Sequence, residues 1–282
     1  MWKVYFNLTK PSPLEANAEI SGMKVSVNQG SDQLVVEFDE AYDEADAPQK
    51  ARTAANQFLD ALWQSDTYFS IDPVSQAIEC ISPTSKSIAI TPPPTSGVVS
   101  AQPPKVVIRN ASGNITEEDD PSKLGKIDVK PSEAASYNRH AHLTDDPFNR
   151  FHDLYLAAEN VASKAEKIKG LNKSQVKRLS ESGESYGEGL LRLALDECFS
   201  SNQQPLKQTA KNLPEFDRSQ ELIPQVAKIL YNGYRCQLNH SKALEDKKIP
   251  FNPQDEREVK TALPLMEFVA KSLLQYEEDS LL

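Results

Sequence analysis

The sequence predicts an α+β protein in two parts. A small α+β domain, mostly strand, takes up residues 1–91, and an all-α four-helix bundle takes up residues 144–282. Three observations carry this reading. Apolar and polar residues alternate early in the chain, apolar residues recur at helical spacing from residue 144 onward, and residues 92–143 are rich in Pro, Ser and acids, as a linker or extension would be.

In "WKVYFNL", Trp2, Val4, Phe6 and Leu8 alternate with Lys3, Tyr5 and Asn7, the period of a half-buried strand. "MKVSV" and "QLVVEF" flank the turn-rich "NQGSD" and predict a hairpin. The period then changes. "DAPQKARTAANQFLDALWQ" offers Asp46 as a cap, Pro48 in the first turn and a stripe of Ala51, Ala54, Ala55, Phe58 and Leu62, which predicts a helix. "QAIECIS" and "SIAIT" return to strand. Between the two parts only "KVVIRN" has strand character. "TPPPTSGVVSAQPPK" has the composition of a linker or of an extended ligand for a partner.

The four helices of the bundle are read in order. The first opens at Thr144 or Asp145 with Pro147 near its start, and carries Phe148, Phe151, Leu154, Tyr155, Ala158 and Val161 on one face. The second is "ESYGEGLLRLALDECF", and its Gly187 and Gly189 belong to a loop leading into a helix. The third is "SQELIPQVAKILYNGYRCQLNHSK", expected to break or bend near Pro224. The fourth begins at Asn252 and Pro253, with a stripe of Leu263, Met266, Val269 and Leu273 and a kink at Pro264.

Charge and composition narrow the function. The chain of 282 residues has a net charge of −10. Residues 1–142 carry −7 and residues 143–282 carry −3, so the second half repels an anion less. Nucleic-acid-binding domains are usually basic, so any RNA contact here must be local and built on Arg and Lys. Three cysteines, Cys80, Cys198 and Cys236, lack metal-ligand spacing and read as free thiols of a reducing compartment. The N-terminal "MWKVYFNLTK" does not read as a signal peptide and no apolar run is long enough to span a bilayer, so a soluble cytoplasmic protein is expected.

The common chemical motifs are missing: no phosphate-binding glycine loop, no HExxH, no paired CxxC and no nucleophile elbow. His140 and His142 stand beside Asp145 and Asp146, a set that could bind metal but reads better as an exposed junction. His152 reads as a packed structural histidine. The end of the third helix remains. "ILYNGYRCQLNHSK" starts as an apolar stripe and ends with Arg235, Asn239, His240 and Lys242. At about 100° per residue, Arg235 and His240 diverge by about 140° on an ideal helix, which suits two walls of a cleft. A histidine near neutral pKa can move a proton, and an arginine fork can neutralise a phosphate in a transition state. Both residues are also ordinary at a helix C-terminus, where the dipole favours cations.

"YRCQLNHSK" resembles the R-x4-6-H motif of the HEPN superfamily, which sits late in the third helix of a four-helix bundle. "DPFNRFHDLYLAAENVASK" resembles the first helix of that family, with an aromatic start and an acidic residue, here Glu159. The resemblance covers residues 144–278. The β-rich first half resembles the regions that precede HEPN in defence proteins of the Apea-like group. Two positions depart from the pattern. Cys236 stands where active members often have Asn, Asp or His, and Lys242 stands where a toxin subgroup has a tyrosine that a partner modifies.

What the resemblance implies is a metal-independent endoribonuclease needing no cofactor, dimeric, with both protomers lining one cleft. Arg235 and His240 would be its catalytic pair, and antiviral defence or a toxin-like response its setting. Asn239 would orient His240, bind a phosphate oxygen or cap the helix, Lys242 would touch RNA phosphate or stay solvated, and Tyr231 and Tyr234 would stack bases or sit in the core, Tyr231 reading better as core. The acidic N-terminal domain would recognise a protein partner or a small-molecule trigger, not RNA. The other reading is a catalytically silent HEPN dimer serving as a protein- or nucleotide-binding scaffold.

Overall fold

The structure, a computed structural model, describes residues 1–39, 46–65, 67–80, 132–239 and 252–281, without the side chains of 64, 73–80, 239 and 281. The chain divides into two compact units, Met1–Pro131 and Ser132–Leu282. The strands predicted at "SIAIT" and "KVVIRN", the Pro-rich stretch, His240 and Lys242 lie outside the described residues.

The first unit is an antiparallel sheet with a helix on one face. Its elements are β1 (Trp2–Leu8), β2 (Ala16–Ile20), β3 (Met23–Val27), β4 (Gln33–Phe38), α1 (Asp46–Ala61) and β5 (Ile71–Cys80), and the sheet order is β2-β3-β4-β1-β5. Period-two alternation decides which face is buried. Val4 lies opposite Val36 and Phe6 opposite Leu34, while Val25 and Val27 meet the same two β4 residues from the other side. All six are buried, and Ala51, Ala54, Ala55, Phe58 and Leu59 of α1 close over them. On the opposite face Lys3 pairs with its register partner Glu37 at 2.6 Å. The β3–β4 hairpin forms where the sequence places it. The strand β2, "ANAEI", adds to it through a two-residue turn in which Ser21 and Gly22 both have positive φ, as a type I′ hairpin requires.

The second unit is helical. It comprises α2 (Glu133–Leu143), α3 (Pro147–Lys169), α4 (Lys173–Lys177), α5 (Tyr186–Cys198), α6 (Gln204–Ala210) and α7 (Leu222–Lys228), then a π-helical segment Ile229–Arg235, α8 (Cys236–Asn239) and α9 (Pro253–Tyr276), which ends in a π turn Glu277–Leu281. Local chemistry sets most of these ends. Asp146 Oδ1 accepts from Phe148 N, with Pro147 in the first turn, and α3 stops at Gly170 in the left-handed region. Asn172 and Gln175 form a reciprocal capping box at α4. Asn252 caps α9, as expected, and Pro253 follows it.

The long helix α3 packs against α2, α5 and α9, and α5 also packs against α7 and α9. Phe151, Leu154, Val161, Leu190, Leu195, Val226, Leu230, Met266, Val269 and Leu273 fill the space between them. A buried carboxylate ties three of these elements together. Glu277, 1% exposed, accepts from Ser132 Oγ at 2.9 Å and pairs with Lys164 of α3, while Ser132 Oγ in turn caps α2. No helix among the described residues is long and apolar enough to cross a membrane.

Two features differ from the sequence reading. Residues 133–143, assigned above to the linking stretch, form α2 and pack on α3. Pro224 does not break its helix. It lies in the first turn of α7, where a backbone N–H has no intrahelical acceptor to lose. Pro264 lies inside α9, where the sequence reading places it.

Residues 132–282 are therefore expected to fold alone, with a cooperative melt and a helical circular dichroism spectrum. A fragment starting at 144 loses α2 and leaves Glu277 without Ser132. It should melt roughly 10 °C lower, at about 2–4 °C per kcal/mol for a domain of this size. Equal melting of the two fragments would show that α2 adds nothing to the unit.

Candidate functional site

The segment carrying Arg235 is not a plain α-helix. Over Ile229–Arg235 the turn widens, and Cys236 N–H donates to Tyr231 O, five residues back. Such wide turns are rare and cluster at functional sites. Side chains anchor this one on several sides. Tyr234 is 1% exposed, its ring lies 5.4 Å from that of Phe151, and its hydroxyl donates to Glu215 Oε1 at 3.1 Å. Asn232 Nδ2 donates to Glu188 Oε2 at 2.7 Å. The ring of Tyr231 rests on Gly187, where a Cβ would overlap its Cε2, Cζ and hydroxyl oxygen.

The first turn of α5 is built to receive the wide turn. Ser185 caps it through Glu188 N, and Glu188, 2% exposed, also accepts from Glu181 N at 2.7 Å. Gly189 lets the helix approach the Val176 carbonyl, which a Cβ there would overlap. Both glycines thus sit inside α5, and close packing is what they permit.

Arg235 projects from the end of the wide turn toward α3. Its guanidinium carbon lies 5.5 Å from the Tyr231 ring centroid and 5.7 Å from that of Tyr155. Its Nε is buried and, among the described residues, has no hydrogen-bond partner. Among the described residues no carboxylate comes within ion-pair distance of it. Glu159, one turn beyond Tyr155 on α3, acts on it through space. Burial is the largest influence on Arg235 and opposes its charge, but Tyr155, Glu159, Tyr231 and Cys236 together raise its pKa. The arginine stays charged. Burial, then Glu159, pushes the Tyr155 phenol well above its ordinary range, and burial raises Tyr231 likewise, so both rings are neutral at physiological pH. The arrangement is a half-buried cation between two neutral rings, with hydrogen-bond donors to spare.

The structure sets Glu159 near enough to Arg235 to act through space, without an ion pair, and commits Tyr234 to the core. Tyr234, expected either to stack a base or to lie in the core, is a core residue and cannot stack on RNA. Tyr231 is half-buried, and Tyr155, read only as part of an apolar stripe, is a wall of the site. Asn239 is the last residue of α8. The wide turn ends at Arg235, α8 follows it as α-helix, and His240, the other member of the pair set 140° apart by the sequence, lies outside the described residues. Among the described residues Cys198 and Cys236 are free thiols. Burial pushes Cys198 up to about 12, and its thiol donates to Ser272 O. An open pocket of about 390 Å³ is lined by Glu181, Ser182, Ser185, Glu188, Lys228 and Asn232.

The other histidines lie on α2 and α3. His140 and His142 stand in the last turn of α2, two apart and so on different faces. His140, 72% exposed, meets Asp153 Oδ2 at 2.6 Å through Nδ1. His152, read above as a packed residue, is part-exposed, with Nδ1 3.5 Å from Asp153 Oδ1. His142 Nδ1 lies 2.8 Å from Asn138 O.

Comparison with protein-family models, with curated proteins and with solved structures finds no match to this chain.

His142 supplies a pH test of the packing of α2. Burial lowers its pKa below the usual 6.5, against a weaker opposing pull from Glu267. Below about pH 6.5 the unfolded chain binds a proton that the folded chain resists, so this contribution to stability holds above that pH and is lost as pH falls. Between pH 7.5 and pH 5.5 wild type should lose more melting temperature than His142→Gln. Equal losses would show that His142 titrates alike in both states.

Proposed function

We propose that the helical unit is a HEPN-like bundle that dimerises and cleaves RNA without a metal, with Arg235 stabilising the phosphate and His240 moving the proton. The observation that carries this reading is the buried Nε of Arg235, which has no hydrogen-bond partner among the described residues. A guanidinium taken partly out of water without an acceptor is costly, and an anion delivered from outside would relieve that cost. Its fork matches two phosphate oxygens, and the neighbouring rings leave its charge uncancelled.

The proposed chemistry uses the substrate's own 2′-hydroxyl. His240 takes the proton from that hydroxyl, the oxygen attacks the adjacent phosphorus, and the bond to the 5′ oxygen of the next nucleotide breaks. The leaving oxygen is protonated in turn. Arg235 donates to the phosphate oxygens as negative charge builds on them. Asn239 orients His240, Lys242 contacts the RNA backbone, and Glu159 tunes Arg235. The net charge of −10 fits this scheme only if binding is local, with the second protomer supplying further cations. The acidic first unit then serves as the receiver of a protein or small-molecule signal.

The second reading, a silent HEPN scaffold, draws on Cys236 in place of the polar residue that follows the arginine in active members. Purified protein with labelled RNA in EDTA separates the two. Wild type should cut. His240→Ala should be slower by on the order of 10²–10⁴. Arg235→Lys should also be severely impaired, since an ammonium lacks the fork. Light scattering should report a dimer at micromolar concentration. Cleavage only with added magnesium, or equal cutting by His240→Ala, would contradict the mechanism. An inert wild type would favour the scaffold.

A further inference from the structure

The forked donors of Arg235 are useful to a phosphate only if they are held in one place, and no acceptor among the described residues holds them. The groups touching the guanidinium are two tyrosine rings. Tyr155 is 1% exposed and belongs to the core of α3. Tyr231 is different. It stands four residues before Arg235 on the same wide turn and is only half-buried, yet it is fixed from several directions. Its ring fills the place a Cβ of residue 187 would take. Its hydroxyl lies against the side chains of Ser185, which caps α5, and Cys236, which follows Arg235. Its carbonyl accepts the Cys236 N–H that defines the wide turn. The next residue, Asn232, is held by buried Glu188.

We infer that Tyr231 is a positioning residue for Arg235, and that Gly187 is the seat that makes the position possible. The inference deepens the reading of Arg235 as the phosphate-binding group and rests on it for its functional consequence. The geometric part stands without it. The ring, and not the hydroxyl, does the positioning, because the cation lies over the ring face. Tyr231→Phe should therefore preserve the site. Tyr231→Leu fills similar space without a ring and should release the guanidinium. Gly187→Ala should do the same from the opposite helix by driving the ring off its seat, although the Arg235 segment itself is untouched.

The test uses the full chain and has a readout independent of activity. In proton–nitrogen NMR spectra of arginine Nε–H groups, the signal lost in Arg235→Lys identifies Arg235. In wild type that proton should sit upfield of the other arginines, shifted by the ring currents, and exchange slowly with water. Tyr231→Phe should keep both properties. Tyr231→Leu and Gly187→Ala should lose them, while thermal melts confirm that each variant is folded. If Gly187→Ala fails to fold, Tyr231→Leu still decides. An unmoved Arg235 signal in Tyr231→Leu, or a signal lost equally in Tyr231→Phe, overturns the inference. With RNA in EDTA, Tyr231→Leu should lower kcat about 10²-fold, as loss of positioning does, with KM changed far less, and Tyr231→Phe should restore it. Expected spectra with a wild type that cuts no RNA would leave the positioning intact and remove the nuclease reading instead.

Discussion

The seating of the wide turn Ile229–Arg235 on the first turn of α5 is the contact on which the candidate site depends. Gly187 admits the Tyr231 ring, and Glu188 holds Asn232. The opposite side of the same turn is locked by Tyr234, packed on Phe151 and bonded to Glu215. With consecutive residues committed to different neighbours, the turn accommodates one more residue than an α-helix would. Arg235 is then left between the two rings, and its Nε has no partner among the described residues. Ordinary packing would bury such a side chain with a carboxylate or expose it to water. Here the side chain is half-buried, no carboxylate among the described residues pairs with it, and Glu159 influences it only from a distance.

Electrostatics separates the two units of the chain. The strand-rich half carries most of the net charge, and its sheet is stabilised by short-range pairing such as Lys3 with Glu37. The helical half sets individual charges in specific places: Glu277 under Lys164 and Ser132, Glu188 under Asn232, and Arg235 over two phenols. The first two are satisfied and serve the fold. The third is unsatisfied, and that asymmetry makes it the candidate for an external anion.

Much of the fold was legible in the sequence wherever one period ruled. β1, the β3–β4 hairpin, α1, α3, α5 and α9 all have clean apolar stripes or strong caps. β2 was not, because "ANAEI" is short and built from residues of weak strand preference, and its place is set by the positive-φ turn at Ser21 and Gly22. α2 was hidden because its buried face is Ala134, Ala135, Asn138 and Ala141, a stripe with no large apolar residue. At the site, Arg235 and Glu159 could be picked out by residue type and placement. Tyr231 was visible only as a base-stacking or core candidate, and Tyr155 and Gly187 not as site residues at all, since their roles depend on where α5 meets the wide turn, and that turn has no signature in an α-helical wheel. The pattern Ser185-x-x-Glu188 was the one available hint that a precise helix start lay there.

The central claim is that Arg235 awaits a phosphate whose neighbouring 2′-hydroxyl is the nucleophile. End-group analysis of RNA cut in EDTA, by mass spectrometry, tests it most directly, with an RNA of the same sequence carrying 2′-O-methyl groups run beside it. The account predicts a 2′,3′-cyclic phosphate or its hydrolysis product on one fragment, a 5′-hydroxyl on the other, and an intact methylated strand. Fragments ending in a 3′-hydroxyl and a 5′-phosphate, or cleavage of the methylated strand at the same rate, would contradict it.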